Sequence, residues 1–136
     1  MVALARSFTT EPAAWNEVLP LTDLPSVLVE RLRELSLLGD DWDGYGSPRI
    51  TEPAKQMAVT LLSVMWSYSG IPSMRLDPVS GGGLQFAWEI GTRGLEVEIL
   101  PSGSVEYLVV DGDDMVEGPL NEPATLLHLL RWLLRS

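Results

Sequence analysis

The chain has 136 residues, of which 46% are hydrophobic, and its 19 acidic and 9 basic residues give a formal net charge of −10. That length fits one domain over 1–136, with 1–22 as an N-terminal segment, and the apolar content supports a packed core and excludes wholesale disorder. The negative charge disfavours direct binding to a nucleic-acid backbone and favours a basic protein partner, while the absence of cysteine excludes disulfides, thiolate metal sites and cysteine nucleophiles.

The first residues, MVALARSFTTEPAAW, have too short an apolar run for a secretory signal. No stretch approaches the roughly 18 uncharged apolar residues of a membrane span. The expectation is a cytoplasmic protein without membrane contact. A four-residue pattern then recurs: Thr10-Glu11-Pro12-Ala13, Thr51-Glu52-Pro53-Ala54 and Asn121-Glu122-Pro123-Ala124. Each reads as a helix start. Thr or Asn caps, Glu complements the positive end of the dipole, and Pro occupies the first turn, where its missing N–H costs nothing.

The first start predicts a short helix over 11–19, ended by Pro20. Asp23 caps a second helix over 24–38, with Leu24, Val27, Leu28, Leu32, Leu35 and Leu38 as its apolar stripe and Gly39 as its stop. Thr51 opens a third over 52–68, burying Ala54, Met57, Ala58, Leu61, Leu62 and Met65 and ended by Gly70 and Pro72. Residues 73–77 read as a first strand before Pro78.

From Leu84 to Val110 the pattern changes to period two, the mark of a sheet with one dry and one wet face. Leu84, Phe86, Trp88 and Ile90, then Leu95, Val97 and Ile99, then Val105, Tyr107 and Val109, share the apolar side. Read as four-residue and three-residue turns, Gly91–Gly94 and Pro101–Gly103 pair Trp88 with Val97, Phe86 with Ile99, and Val97 with Tyr107. The same register sets Glu89 opposite Glu96 and Glu98 opposite Glu106. Like charges directly opposed cost a fraction of a kcal/mol, roughly 0.2–1 before screening. One reading is a solvated face eased by Arg75 or Arg93; the other is a face kept acidic for a basic partner. A turn at 111–114 and a short edge strand at Met115-Val116 follow. Asn121 starts a last helix over 122–135, so leucine-rich that it predicts deep packing or a homodimer through that helix.

Several segments invite chemistry. Counted from Asp41, the turn between the second and third helices overlays part of a calcium-binding loop, with Asp41, Asp43 and Glu52 as ligands. Tyr45 in place of an oxygen ligand, Pro48 and Arg49 depart from that pattern. The competing reading makes it a tight turn, with Gly44 and Gly46 bending the chain and Trp42 and Tyr45 packing on the helix pair. Gly81-Gly82-Gly83 leads into a strand and lacks a following lysine, so it reads as a hairpin linker and not a phosphate cradle. His128 has no serine or acid at helical spacing, and the paired acids Asp113-Asp114 and Glu96-Glu98 lie on an open face. No motif calls for an enzyme or a cofactor.

Asp41-Trp42-Asp43-Gly44-Tyr45-Gly46-Ser47-Pro48, the helix after it, Gly83-Leu84-Gln85-Phe86-Ala87-Trp88 and Leu95-Glu96-Val97-Glu98-Ile99 together resemble a group of small bacterial and phage proteins. These share a WDGYGA-x-P turn, a helix and a GG-hydrophobic-x-W hairpin, and the likeness covers about residues 35–110, with Ser47 where alanine is commoner. The resemblance implies an order of elements and carries no activity.

The expected architecture is α+β in two layers: an antiparallel meander of three to five strands packed on helices that precede and follow it. The expected function is a non-catalytic acidic module that holds a basic protein, as an antitoxin, immunity protein, secretion chaperone or phage inhibitor would. Glu89, Glu96, Glu98 and Glu106 form the contact face, with Asp111, Asp113 and Asp114 at its rim. The alternative is a calcium-dependent structural or regulatory module.

Overall fold

The computed structural model describes residues 26–68 and 74–135. The expected helix at 11–19, the Asp23 cap, Leu24 and the Gly70–Pro72 stop lie outside the described residues.

Two helices come first, α1 (Ser26–Ser36) and α2 (Glu52–Tyr68). A five-stranded antiparallel meander follows: β1 (Arg75–Val79), β2 (Gly83–Ile90), β3 (Arg93–Ile99), β4 (Val105–Asp111) and β5 (Asp114–Pro119), hydrogen-bonded in sequence order. α3 (Pro123–Leu134) closes the chain. The fold is α+β, with helices before and after the sheet covering one of its faces.

The core follows from the two periodicities. Leu84, Phe86, Trp88, Leu95, Val97, Ile99 and Val105 are the buried parity of the strands. α2 meets them with Ala54, Ala58, Leu61, Leu62 and Met65, spaced for one helical face. α3 adds Leu126, Leu127, Leu130 and Leu133, and all of these belong to one cluster. Most of the leucine-rich circumference of α3 is therefore taken up inside the chain, although Leu134 stays 51% exposed. α1 packs more lightly. Leu35 is buried and Leu28, Val29 and Leu32 are partly so, whereas Val27, expected in the stripe, is exposed. Val27 shares its side of the helix with Arg31 and Glu34, one turn and two turns on.

α2 starts where its sequence says. Thr51 Oγ1 accepts the Ala54 N–H at 3.2 Å, an N-cap bond, and donates to Pro101 O at 2.6 Å. Thr51 N–H also donates to Gly82 O at 3.1 Å, so the start of α2 is tied to two hairpin turns at once. α3 departs from the expectation. Its N-cap is Glu122, without a side-chain capping bond, and Pro123 is the first helical residue.

The β2–β3 register differs from the expected one. The turn is the two residues Gly91-Thr92, with Gly91 at φ 62°, a conformation that two-residue hairpin turns require of their first residue. Arg93 and Gly94 therefore join β3. Trp88 lies opposite Leu95, Phe86 opposite Val97 and Leu84 opposite Ile99. The displacement is two residues, so every side chain keeps its face. The β3–β4 pairing agrees with expectation: Ile99 faces Val105 and Val97 faces Tyr107. β1 runs through Pro78, which an edge strand tolerates because the missing N–H points away from the ladder.

Gly83 opens β2 at a point of close approach: a Cβ there would stand 2.4 Å from Ile99 O. Gly83→Ala should lower stability by about 1–3 kcal/mol, the usual range for overpacking. A denaturant titration should show the loss, with Gly39→Ala as the comparison, since an added Cβ there meets nothing within 4 Å.

Candidate interaction face

The register places side chains in rows across the outer, helix-free face of the sheet. One row runs Asp77, Gln85, Glu98, Glu106 and Pro119, and the next runs Arg75, Ala87, Glu96, Leu108 and Glu117. Glu98 lies directly opposite Glu106, as expected. Glu96 faces Ala87, and Glu89 faces Gly94, so the expected Glu89–Glu96 opposition does not occur. The two-residue turn is the cause.

Glu96, Glu98, Glu106 and Glu117 line one shallow groove of about 460 Å³, together with Tyr107, Leu108, Gly118 and Pro119. Glu96 and Glu98 are half-buried. Among the described residues no cation pairs with any of the four; the ion pairs lie within α1, between Arg31 and Asp77 on β1, at Asp40–Arg49 and at Glu52–Lys55. Arg93, expected to relieve this face, has the opposite parity. It donates to Trp132 O at 2.8 Å and to Arg135 O, and its guanidinium lies 5.3 Å from the centroid of the Trp132 ring.

The expected contact residues thus divide. Glu96, Glu98 and Glu106 come together. Glu89 shares their face but lies beyond Gly94, along a second depression that Arg75 and Glu96 also line. Asp111 and Asp114 pair with each other on the helix side, in line with Arg93, and Asp113 sits in the turn between them. Glu117 was missed. β5 runs on to Pro119, although Gly118 and Pro119 read in the sequence as the end of a strand.

The 39–52 turn is built otherwise than a cation cage. Asp41, at φ 63°, accepts the Gly46 N–H on Oδ1 at 2.6 Å, and its own N–H donates to Ser47 O at 2.7 Å. Asp43 Oδ1 accepts the N–H groups of Tyr45 at 2.9 Å and Ser47 at 3.2 Å, and Oδ2 accepts the Ser47 hydroxyl at 2.5 Å. The carboxylates face inward to the loop's own donors, and Glu52 pairs instead with Lys55 at 3.3 Å. Among the described residues no group of three or more His, Cys, Asp or Glu is placed to hold a metal ion. Trp42 is half-buried and donates Nε1–H to Pro48 O at 3.1 Å, but Tyr45 is 92% exposed and does not pack on the helices. Buried Ser47 reaches Ser80 at 2.7 Å, which docks the turn on the β1–β2 hairpin. Gly81 and Gly82, both at positive φ, form that hairpin's turn, as the linker reading holds. His128 is exposed on α3, apart from the groove.

The chain matches no protein-family model, no curated protein and no solved structure. Among the described residues no helix is long and apolar enough to cross a membrane.

Two outcomes follow from this geometry. Glu98→Lys should raise stability by about 0.2–1 kcal/mol, because it replaces a like-charge opposition with an attractive cross-strand pair; thermal unfolding at low salt measures it, and the gain should shrink as salt is added. The Ser47 hydroxyl, then the Tyr45 N–H, hold the Asp43 carboxyl below its ordinary 3.8. A lowered native value stabilises the turn above that pH and is lost as pH falls through the native value. The amide resonances of Tyr45 and Ser47 should therefore hold steady through the ordinary carboxylate range and move only as pH falls below 3.8, and Asp43→Asn should remove that titration.

Proposed function

We propose that this chain is a non-catalytic interaction module that holds a basic protein segment against the outer face of its sheet. The carrying observation is the convergence of Glu96, Glu98, Glu106 and Glu117 on one groove with no cation among them. Four carboxylates kept together, two of them half-buried, repel one another and destabilise the fold. A lysine or arginine on β2, β4 or β5 would relieve that repulsion; Arg93 is on the helix side, and Arg75, in the row of Glu96 and Glu117, stands two strands from Glu96 and forms no ion pair with it. The unrelieved charge is satisfied when a partner supplies the cations.

The groove also has apolar surface in Leu108 and Pro119, against which the stems of lysine or arginine can lie while their heads meet the carboxylates. Its polar side chains are carboxylates, an arrangement suited to neutralising charge. The net charge of −10 steers a basic partner toward the molecule before contact. An antitoxin, an immunity protein, a secretion chaperone or a phage-encoded inhibitor would all use such a face in this way.

Fluorescence anisotropy with a labelled ten-lysine peptide tests the reading. The native chain should bind it, with affinity falling as salt rises, and the double variant Glu98→Lys, Glu106→Lys should bind at least about tenfold more weakly, in line with buried charge contacts of a few kcal/mol. Equal binding by the native chain and the double variant would remove the groove from consideration. Reversal of Asp113 and Asp114 serves as the control of equal charge change and should cost much less.

A further inference from the structure

The two edges of the sheet are finished differently. β1 is closed. Pro78 offers no N–H, and Leu76 O accepts Arg31 Nε at 2.9 Å, while the same guanidinium pairs with Asp77 at 3.2 Å. α1 therefore lies along that edge and takes up the Leu76 carbonyl. β5 has no such cover. The two-residue turn Gly112-Asp113 makes Asp111 and Asp114 a hydrogen-bonded pair, and the antiparallel alternation then turns the N–H and C=O of Met115 and Glu117 outward. Among the described residues no hydrogen bond from outside the sheet reaches either one. Met115 is 65% exposed and Val116 59% exposed, an apolar step beside unpaired backbone.

An open edge of this kind templates another strand. We propose that β5 takes up an extended segment of the basic partner as a sixth, antiparallel strand, so that backbone pairing and the acidic groove act on one ligand. The inference rests on the basic-partner reading above and adds where that partner lies and in what conformation. Side chains of the added strand would alternate. Those in line with Glu117 and Pro119 continue the carboxylate rows and should be lysine or arginine. Those in line with Val116 fall on the helix side and should be apolar. A second copy of the chain fits poorly, because edge-to-edge pairing would set two molecules of net charge −10 together with Asp114 and Glu117 of each in the seam.

The test uses the full chain and a peptide of about eight residues alternating lysine and valine, long enough to span β5. Two further peptides carry backbone N-methyl groups, one on the lysines and one on the valines, which leaves charge unchanged. An added antiparallel strand turns only the lysine amides toward Met115 and Glu117. The lysine-methylated peptide should bind at least tenfold more weakly, while the valine-methylated one should match the parent. Met115→Pro, which removes an outward N–H and no ladder bond, should weaken the parent by a similar factor. Hydrogen exchange should slow at Met115 and Glu117 when the parent binds. Equal affinity of the two methylated peptides, whether high or low, overturns strand addition. If the ten-lysine peptide still binds through Glu98 and Glu106 in that case, the acidic face survives alone. No binding of the alternating parent, in a chain that binds ten-lysine, also overturns the edge and spares the face.

Discussion

Burial of one parity of strand side chains under α2 and α3 is the constraint on which the other features depend. Phe86, Val97 and Ile99 cannot leave the core without turning every neighbour over. The opposite parity is thereby forced outward, and it is there that glutamate accumulates. The acidic groove is in this sense set by the core. Its residues hold their places because leucine, valine and isoleucine hold theirs. The start of α2 fixes the layers against each other from the side, through Thr51 bonded to the turns at Gly82 and Pro101.

Much of this was legible in the residues, and the failures have physical causes. The limits of α2 agree with expectation because Thr51, Pro53 and an alanine-leucine face all speak for the same helix. The faces of the strands were readable because period two is insensitive to pairing partner. For the same reason the β2–β3 register was not readable. Registers two residues apart present identical alternation, and only the choice between a two-residue and a four-residue turn separates them. Gly91 and Gly94 both suited a turn, and the structure uses the first.

The last strand and the aspartates failed differently. Gly118 and Pro119 look like an end to a strand, yet an edge strand tolerates both, and the Tyr107 ring packs over Gly118, where a Cβ would stand 3.2 Å from its hydroxyl. Stopping the strand early hid Glu117, and reading 111–114 as a turn hid that Asp111 and Asp114 are the paired strand ends around Gly112-Asp113, with the parity of Val109 and Val116. In the 39–52 turn, the spacing of Asp41 and Asp43 resembled a cation site because both uses of aspartate need closely spaced oxygens. What distinguishes them is the direction of the carboxylates, which the backbone conformation at Asp41, Gly44 and Gly46 decides. Tyr45 is exposed for the same reason: the turn is closed by its own hydrogen bonds and needs no aromatic packing.

The attachment of α3 bears on how the molecule is made. During synthesis the whole meander leaves the ribosome before the leucines at 126–133 do, so the part of the sheet that α3 covers stays open until that helix follows. The bonds from Arg93 to the carbonyls of Trp132 and Arg135 also wait for that helix. Until then a nascent chain with a partly covered apolar sheet and an open β5 edge is sticky on two sides, and a net charge of −10 opposes its association with neighbouring copies.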